Sequence, residues 1–103
     1  VQDIENITGQ KFNIVDGIFP NSIENFVINK PISFAHVDVD TYVSAKESLD
    51  FLLPNSINVA MIILDDYGGW FTDGITKFGN ELKQNQKLVV IPNHLGQLII
   101  YKL

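Results

Sequence analysis

Met61-Ile62-Ile63-Leu64 is an unbroken apolar run that meets Asp65-Asp66-Tyr67-Gly68-Gly69 without a transition. No polar residue interrupts the run to meet solvent, so it predicts a strand from about Asn58 to Leu64 that is buried on both faces. Ile32-Ser33-Phe34-Ala35-His36-Val37-Asp38-Val39-Asp40 predicts a second strand, apolar enough for the interior of a sheet. Between the two the period becomes helical. Tyr42, Ala45, Leu49, Leu52 and Leu53 share a face from about Tyr42 to Leu53, Lys46 and Asp50 form an exposed i, i+4 pair, and Pro54 stops the helix.

The flanks follow the same logic. Ile4 and Ile7 are spaced as on one helical face, so Val1 to Gln10 reads as the tail of a helix. Phe12 to Val15 alternates and reads as a short strand closed by an Asp16-Gly17 turn. Pro20-Asn21-Ser22 offers a cap to a short helix carrying Ile23, Phe26 and Val27, ended at Lys30-Pro31. Beyond Gly69, Thr72 or Asp73 can cap a helix to about Asn85 that buries Ile75, Phe78 and Leu82, although Gly74 and Gly79 weaken it. Lys87–Ile91 and Gln97–Leu103 read as strands. The link between them is too short for a crossover, so they predict an antiparallel hairpin.

The element order is therefore β-α-β-α-β-α-β-β. It predicts an α/β fold: a doubly wound, three-layer, Rossmann-like sheet, parallel except for its last strand. No repeat, low-complexity tract or linker divides residues 1–103, so one domain is expected.

Composition narrows the function classes. At 103 residues and 46% hydrophobic, the chain can bury roughly two-thirds of its unfolded surface and is not of disordered composition. A net charge of −5 leaves no basic field for a phosphate backbone, so nucleic acid is not an expected partner. No apolar run reaches membrane-spanning length and no leader pattern opens the chain, so no membrane partner is expected either. With zero cysteines the chain is compatible with the cytoplasm, the expected location, and any metal site must be oxygen-ligated.

The acidic residues carry the candidate chemistry. Asp38 and Asp40 end one strand and Asp65 and Asp66 the next, so on neighbouring strands all four face one crevice, where ligands bind in open α/β sheets. Adjacent strand residues point to opposite faces, so Asp65 and Asp66 converge only if the backbone leaves extended geometry; Gly68-Gly69 permits that turn. Like charges about 4 Å apart repel by roughly 1 kcal/mol in bulk water and about 4 kcal/mol at an effective dielectric near 20. A divalent ion resolves that repulsion and supplies a Lewis acid. Strand-end aspartates also serve as turn formers. His36 reads as a structural histidine and His94 as a solvated one, while Tyr67 and Trp70 either wall a pocket over the ion or close the core.

Val15-Asp-Gly-Ile-Phe-Pro-Asn-Ser-Ile23, His36-Val-Asp-Val-Asp-Thr-Tyr42 and Ile63-Leu-Asp-Asp-Tyr-Gly68 together resemble the TylF-type macrocin O-methyltransferases. Members of that family use S-adenosylmethionine and a divalent metal to methylate sugar hydroxyls of natural products. The resemblance implies Mg²⁺ or another divalent cation at Asp38, Asp65 and Asp66, with Asp40 as general base. It also implies Asp16, Gly17 and Ile18 near the adenine of the cofactor, and a small hydroxyl-bearing molecule as substrate.

The family's Gly-rich cofactor turn has no counterpart in this sequence, so the chain is expected to correspond to the C-terminal portion of the domain, and binding of S-adenosylmethionine by this chain alone is expected to be weak. An unpaired flank on the Phe34–Val39 strand predicts a homo-oligomer or strand-swapped dimer. Two other readings stand beside this one: a haloacid-dehalogenase-like phosphatase, from the Asp38-Val-Asp40 spacing, and a non-catalytic metal-binding remnant.

Overall fold

The computed structural model describes residues 2–23 and 29–103. The elements are α1 (Gln2–Thr8), a 3₁₀ turn (Asn21–Ile23), β1 (Ile32–Val37), α2 (Tyr42–Leu52), β2 (Ser56–Leu64), α3 (Asp73–Leu82), β3 (Leu88–Pro92) and β4 (Leu98–Lys102). The four strands form one sheet in the order β1-β2-β4-β3. β1 and β2 are parallel, and β4 is antiparallel to both of its neighbours, so β1, β2 and β3 all run one way. The expected α/β class, the antiparallel last strand and the β3–β4 hairpin are all present. In the hairpin link, the Asn93 side chain accepts from the backbone N–H groups of Leu95 and Gln97.

The core lies on one side of this sheet. Val37, Ile62, Leu64, Leu98 and Ile100 meet Ala45, Leu49 and Leu52 of α2 and Ile75, Phe78 and Leu82 of α3. Thr41 caps α2 by accepting from the Ser44 N–H at 3.2 Å, leaving the helix free to present that apolar face. α3 sits close to its neighbours because two of its positions lack a side chain. A Cβ on Gly79 would fall 2.9 Å from both Leu98 and Tyr67, and one on Gly74 would fall 2.8 Å from the Tyr42 backbone nitrogen. The two glycines that weaken the helix by propensity are thus the ones that let it pack.

Register places a second set of apolar residues on the opposite face. Phe34, Met61, Tyr101 and Val89 form one cross-strand row, and His36, Ile63, Ile99 and Ile91 form the next. Of the three expected layers, the described residues supply the sheet and the α2–α3 layer; no described helix covers these two rows, and α1 buries none of its residues.

Phe12 to Val15 does not form the expected strand. The segment has no regular structure, and Phe12, Ile14 and Val15 are exposed. Extended backbone needs a neighbour to satisfy its N–H and C=O groups, and no described strand lies beside it. The expected helix through Phe26 and Val27 lies outside the described residues. β1 stops at Val37, so Asp38 to Asp40 form a link into α2. At the other end of the sheet, β1 advances from Ile32 to Phe34 while β2 advances from Ser56 to Met61; the resulting bulge holds Val59 at φ +60°, a strained value for a β-branched residue.

Candidate functional site

β1 and β2 end together, with Val37 opposite Leu64, and the Asp65 N–H extends the ladder by donating to the Val37 carbonyl at 2.9 Å. Parallel pairing therefore delivers Asp38 and the Asp65-Asp66 pair to the same end of the sheet. The backbone then leaves extended geometry, as two adjacent carboxylates require, because Asp66 is left-handed at φ +64°.

Several bonds hold that conformation. The Asp66 N–H donates to Asp65 Oδ1 at 2.9 Å, and the Asp66 carbonyl accepts from Thr72 Oγ1 at 2.8 Å and from the Gly69 N–H at 3.3 Å. The Gly68 N–H donates to Thr76 Oγ1, and the Tyr67 N–H to the Gly96 carbonyl. Thr72, which precedes α3, is thereby engaged: its hydroxyl ties down the turn and does not cap the helix.

The turn sends the two aspartates in different directions. Carboxylate oxygens of Asp38, Asp40 and Asp66 all lie within 4.8 Å of one another. Asp65, expected beside Asp38 and Asp66, faces His36, whose Nε2 is 3.2 Å from Asp65 Oδ2. This follows strand alternation: His36 and Ile63 share the bare face, and Asp65 is two residues beyond Ile63.

The electrostatics of the cluster are unbalanced. The Asp66 carboxyl is pushed above the ordinary aspartate range, first by desolvation and then by the charges of Asp38 and Asp65, a hydrogen bond with Asp38, and the charge of Asp40. The chain's seven basic residues are all lysines. Among the described residues none forms a salt bridge with these three carboxylates: Lys46 pairs with Asp50, while Lys77 and Lys83 lie over the rings of Tyr42 and Tyr67. Three convergent oxygen donors without a neighbouring cation fit a hard divalent ion.

Tyr67 closes the core and does not wall the cluster. Its ring packs against Gly79, and its hydroxyl donates to Asn80 Oδ1 at 2.6 Å. Trp70 does neither, being almost fully exposed. A cleft of about 270 Å³ borders Asp38 and is lined by Phe19, Ala35, Val37, Val39 and Leu52. Asp16, Gly17 and Ile18 do not line it, although Phe19 immediately follows them and stacks edge-on against Phe51. A larger cleft of about 540 Å³ lies by Lys30, Asn55 and Asn58 at the opposite end of β1 and β2, away from the carboxylates.

The sequence signalled the cluster through its paired aspartates, but not the partition of Asp65 from Asp66. An Asp-Asp-x-Gly run tolerates the left-handed state without specifying which residue adopts it. The spacing of Thr72 and Thr76 after the turn was the available hint of what holds it.

No family model and no curated protein sequence matches this chain. Among solved structures it is similar to a candidate O-methyltransferase from Klebsiella pneumoniae, with a TM-score of 0.57 and 14% identity over 80% of this chain. The similarity shows a methyltransferase-like, Rossmann-like fold. The chain spans 45% of the length of that protein.

Proposed function

We propose that this chain carries the metal-binding part of an S-adenosylmethionine-dependent O-methyltransferase site acting on a hydroxyl of a sugar or other natural product. The observation that carries the reading is the convergence of Asp38, Asp40 and Asp66 at adjacent strand ends of a methyltransferase-like fold. Asp38 and Asp66, fixed by the strand end and the left-handed turn, would hold Mg²⁺ or a similar cation. A cation there supplies a Lewis acid that lowers the pKa of a substrate hydroxyl. Asp40, exposed on the link between β1 and α2, would complete the cation's ligand set or accept the hydroxyl proton. S-adenosylmethionine supplies an electrophilic methyl group, and the apolar cleft beside Asp38 suits the flat adenine of such a cofactor. Binding by this chain alone is expected to be weak, since it spans less than half of the similar protein.

The deciding measurement is calorimetric Mg²⁺ affinity in three variants, Asp66→Asn, Asp65→Asn and Asp40→Asn. Asp66→Asn is expected to abolish binding, and Asp65→Asn, which removes the partner of His36, to leave it within a few-fold. Unchanged affinity in Asp66→Asn would overturn the reading. Greater loss in Asp65→Asn than in Asp40→Asn would restore the ligand set of Asp38, Asp65 and Asp66. We also propose that the isolated chain forms a homo-oligomer or strand-swapped dimer through the outer edge of β1, the first strand of the sheet, together with the bare face beside it; a monodisperse 11.6 kDa species in light scattering would contradict this.

A further inference from the structure

Trp70 and Phe71 are 94% and 98% exposed, more than any other large apolar residue described. Exposing two adjacent aromatic side chains forgoes the stabilisation that burying them would bring, so a loop that displays both invites a functional explanation. Their position is fixed by the carboxylate turn. Gly69, just before them, and Thr72, just after them, both donate to the Asp66 carbonyl. Trp70 and Phe71 are therefore the tip of a loop closed on the residue whose carboxylate joins the cluster. At about 3.8 Å per residue, their Cα atoms lie within roughly 8 Å of the groups that touch Asp66.

A second loop adds to the same rim. Leu95, 82% exposed, adjoins Gly96, whose carbonyl accepts from the Tyr67 N–H. Gly69 cannot gain bulk without disturbing this arrangement, because a Cβ there would collide with Thr72 Oγ1.

We propose that Trp70 and Phe71 are specificity-determining residues: an apolar platform that stacks on the ring of the methyl acceptor while its hydroxyls reach the Asp38–Asp40–Asp66 cluster. The inference deepens the O-methyltransferase reading and rests on it. Carboxylates with a cation recognise adjacent hydroxyl oxygens, and an indole or phenyl face recognises the C–H face of a saturated ring or the π face of an aromatic one. The ligand chemistry common to both is a ring with vicinal hydroxyls and one apolar face, which a pyranoside and a catechol share.

Trp70 is the single tryptophan, so its indole N–H gives one NMR signal that reads the platform directly. The 103-residue chain, with saturating Mg²⁺, is titrated with methyl α-mannopyranoside and separately with catechol. The indole signal is expected to move with at least one of them, and which one moves it identifies the source. Phe71→Ala, at a fully exposed position, is expected to weaken that ring affinity roughly 2- to 10-fold, the range for one aromatic stacking contact, while leaving calorimetric Mg²⁺ affinity unchanged. With Mg²⁺ bound, an indole signal that responds to neither ring, or responds equally in Phe71→Ala, overturns the platform and leaves the metal reading standing. A response of equal size without Mg²⁺ also overturns it, because the ring would then bind independently of the cluster. Failure of the unaltered chain to bind Mg²⁺ overturns the metal reading and the platform together.

Discussion

The two faces of the sheet are built from the same strands and differ in what meets them. Ile62, Leu64, Leu98 and Ile100 are fully buried beneath α2 and α3, whereas their chain neighbours Ile63 and Ile99 are only half-buried and Phe34, Val89 and Ile91 are exposed. Side-chain chemistry does not account for the contrast, since isoleucine occupies both sides. The apolar character of a strand records how many faces it is suited to bury, and parallel strands are normally covered on both. Here the described helices account for one.

That contrast can be broken most severely from the covered side. Ile62→Ala should cost about 2–5 kcal/mol in denaturant unfolding, and Ile63→Ala, one residue along and facing the other way, under about 1 kcal/mol. Equal losses would mean that the second face is covered in solution.

Gly79→Ala tests how tightly α3 closes the same side. Overpacking against Leu98 and Tyr67 should cost about 1–3 kcal/mol, against the gain of up to about 1 kcal/mol that propensity alone predicts. A stabilised variant would show that the helix is not held at that distance. On the bare side, Phe34→Lys should alter stability by no more than about 0.5 kcal/mol while lowering the apparent mass in light scattering. An unchanged mass would remove this face from self-association.

The smallest effect belongs to the strand ends, where the faces meet. Because Asp66 binds its proton more readily in the folded chain than an ordinary aspartate does, folding of the metal-free chain is favoured when Asp66 is protonated. That contribution is present below the ordinary aspartate pKa of about 3.9 and is lost as pH rises through the higher folded value. Mg²⁺ competes with the same proton, so its affinity should begin to fall, as pH is lowered in calorimetric titrations, at a higher pH than for an unperturbed aspartate. A decline beginning only near pH 4 would place Asp66 outside the ion's ligands.

Much of this was legible in the residues. The starts of β1 and α2, the stop at Pro54 and the hairpin through Asn93 to Gly96 follow from local patterning, which the tertiary structure does not oppose. The acidic end of the sheet was legible because two strands each finish in paired aspartates. What escaped was decided at a distance. Phe12 to Val15 alternates like a strand but has no partner among the described strands. Gly79 looks like a defect until Leu98 and Tyr67 lie against it. The divergence of Asp65 from Asp66 depends on one left-handed residue pinned by Thr72, a contact six positions away in the chain.

The position of β4 has a further consequence, for the order in which the fold can come into being. Both β2 and β3 bond to β4, which is synthesised after either of them. Among the described strands, β3 pairs with β4 alone and β2 with β1 and β4, so until Leu98–Lys102 has emerged the β1–β2 pair and β3 stay unjoined, with open, apolar edges. Closure depends on pairing Leu64 with Leu98 across the whole of α3 and β3, a long-range contact of the kind that slows folding. The interval during which those edges stay open therefore runs from the emergence of β2 to that of β4.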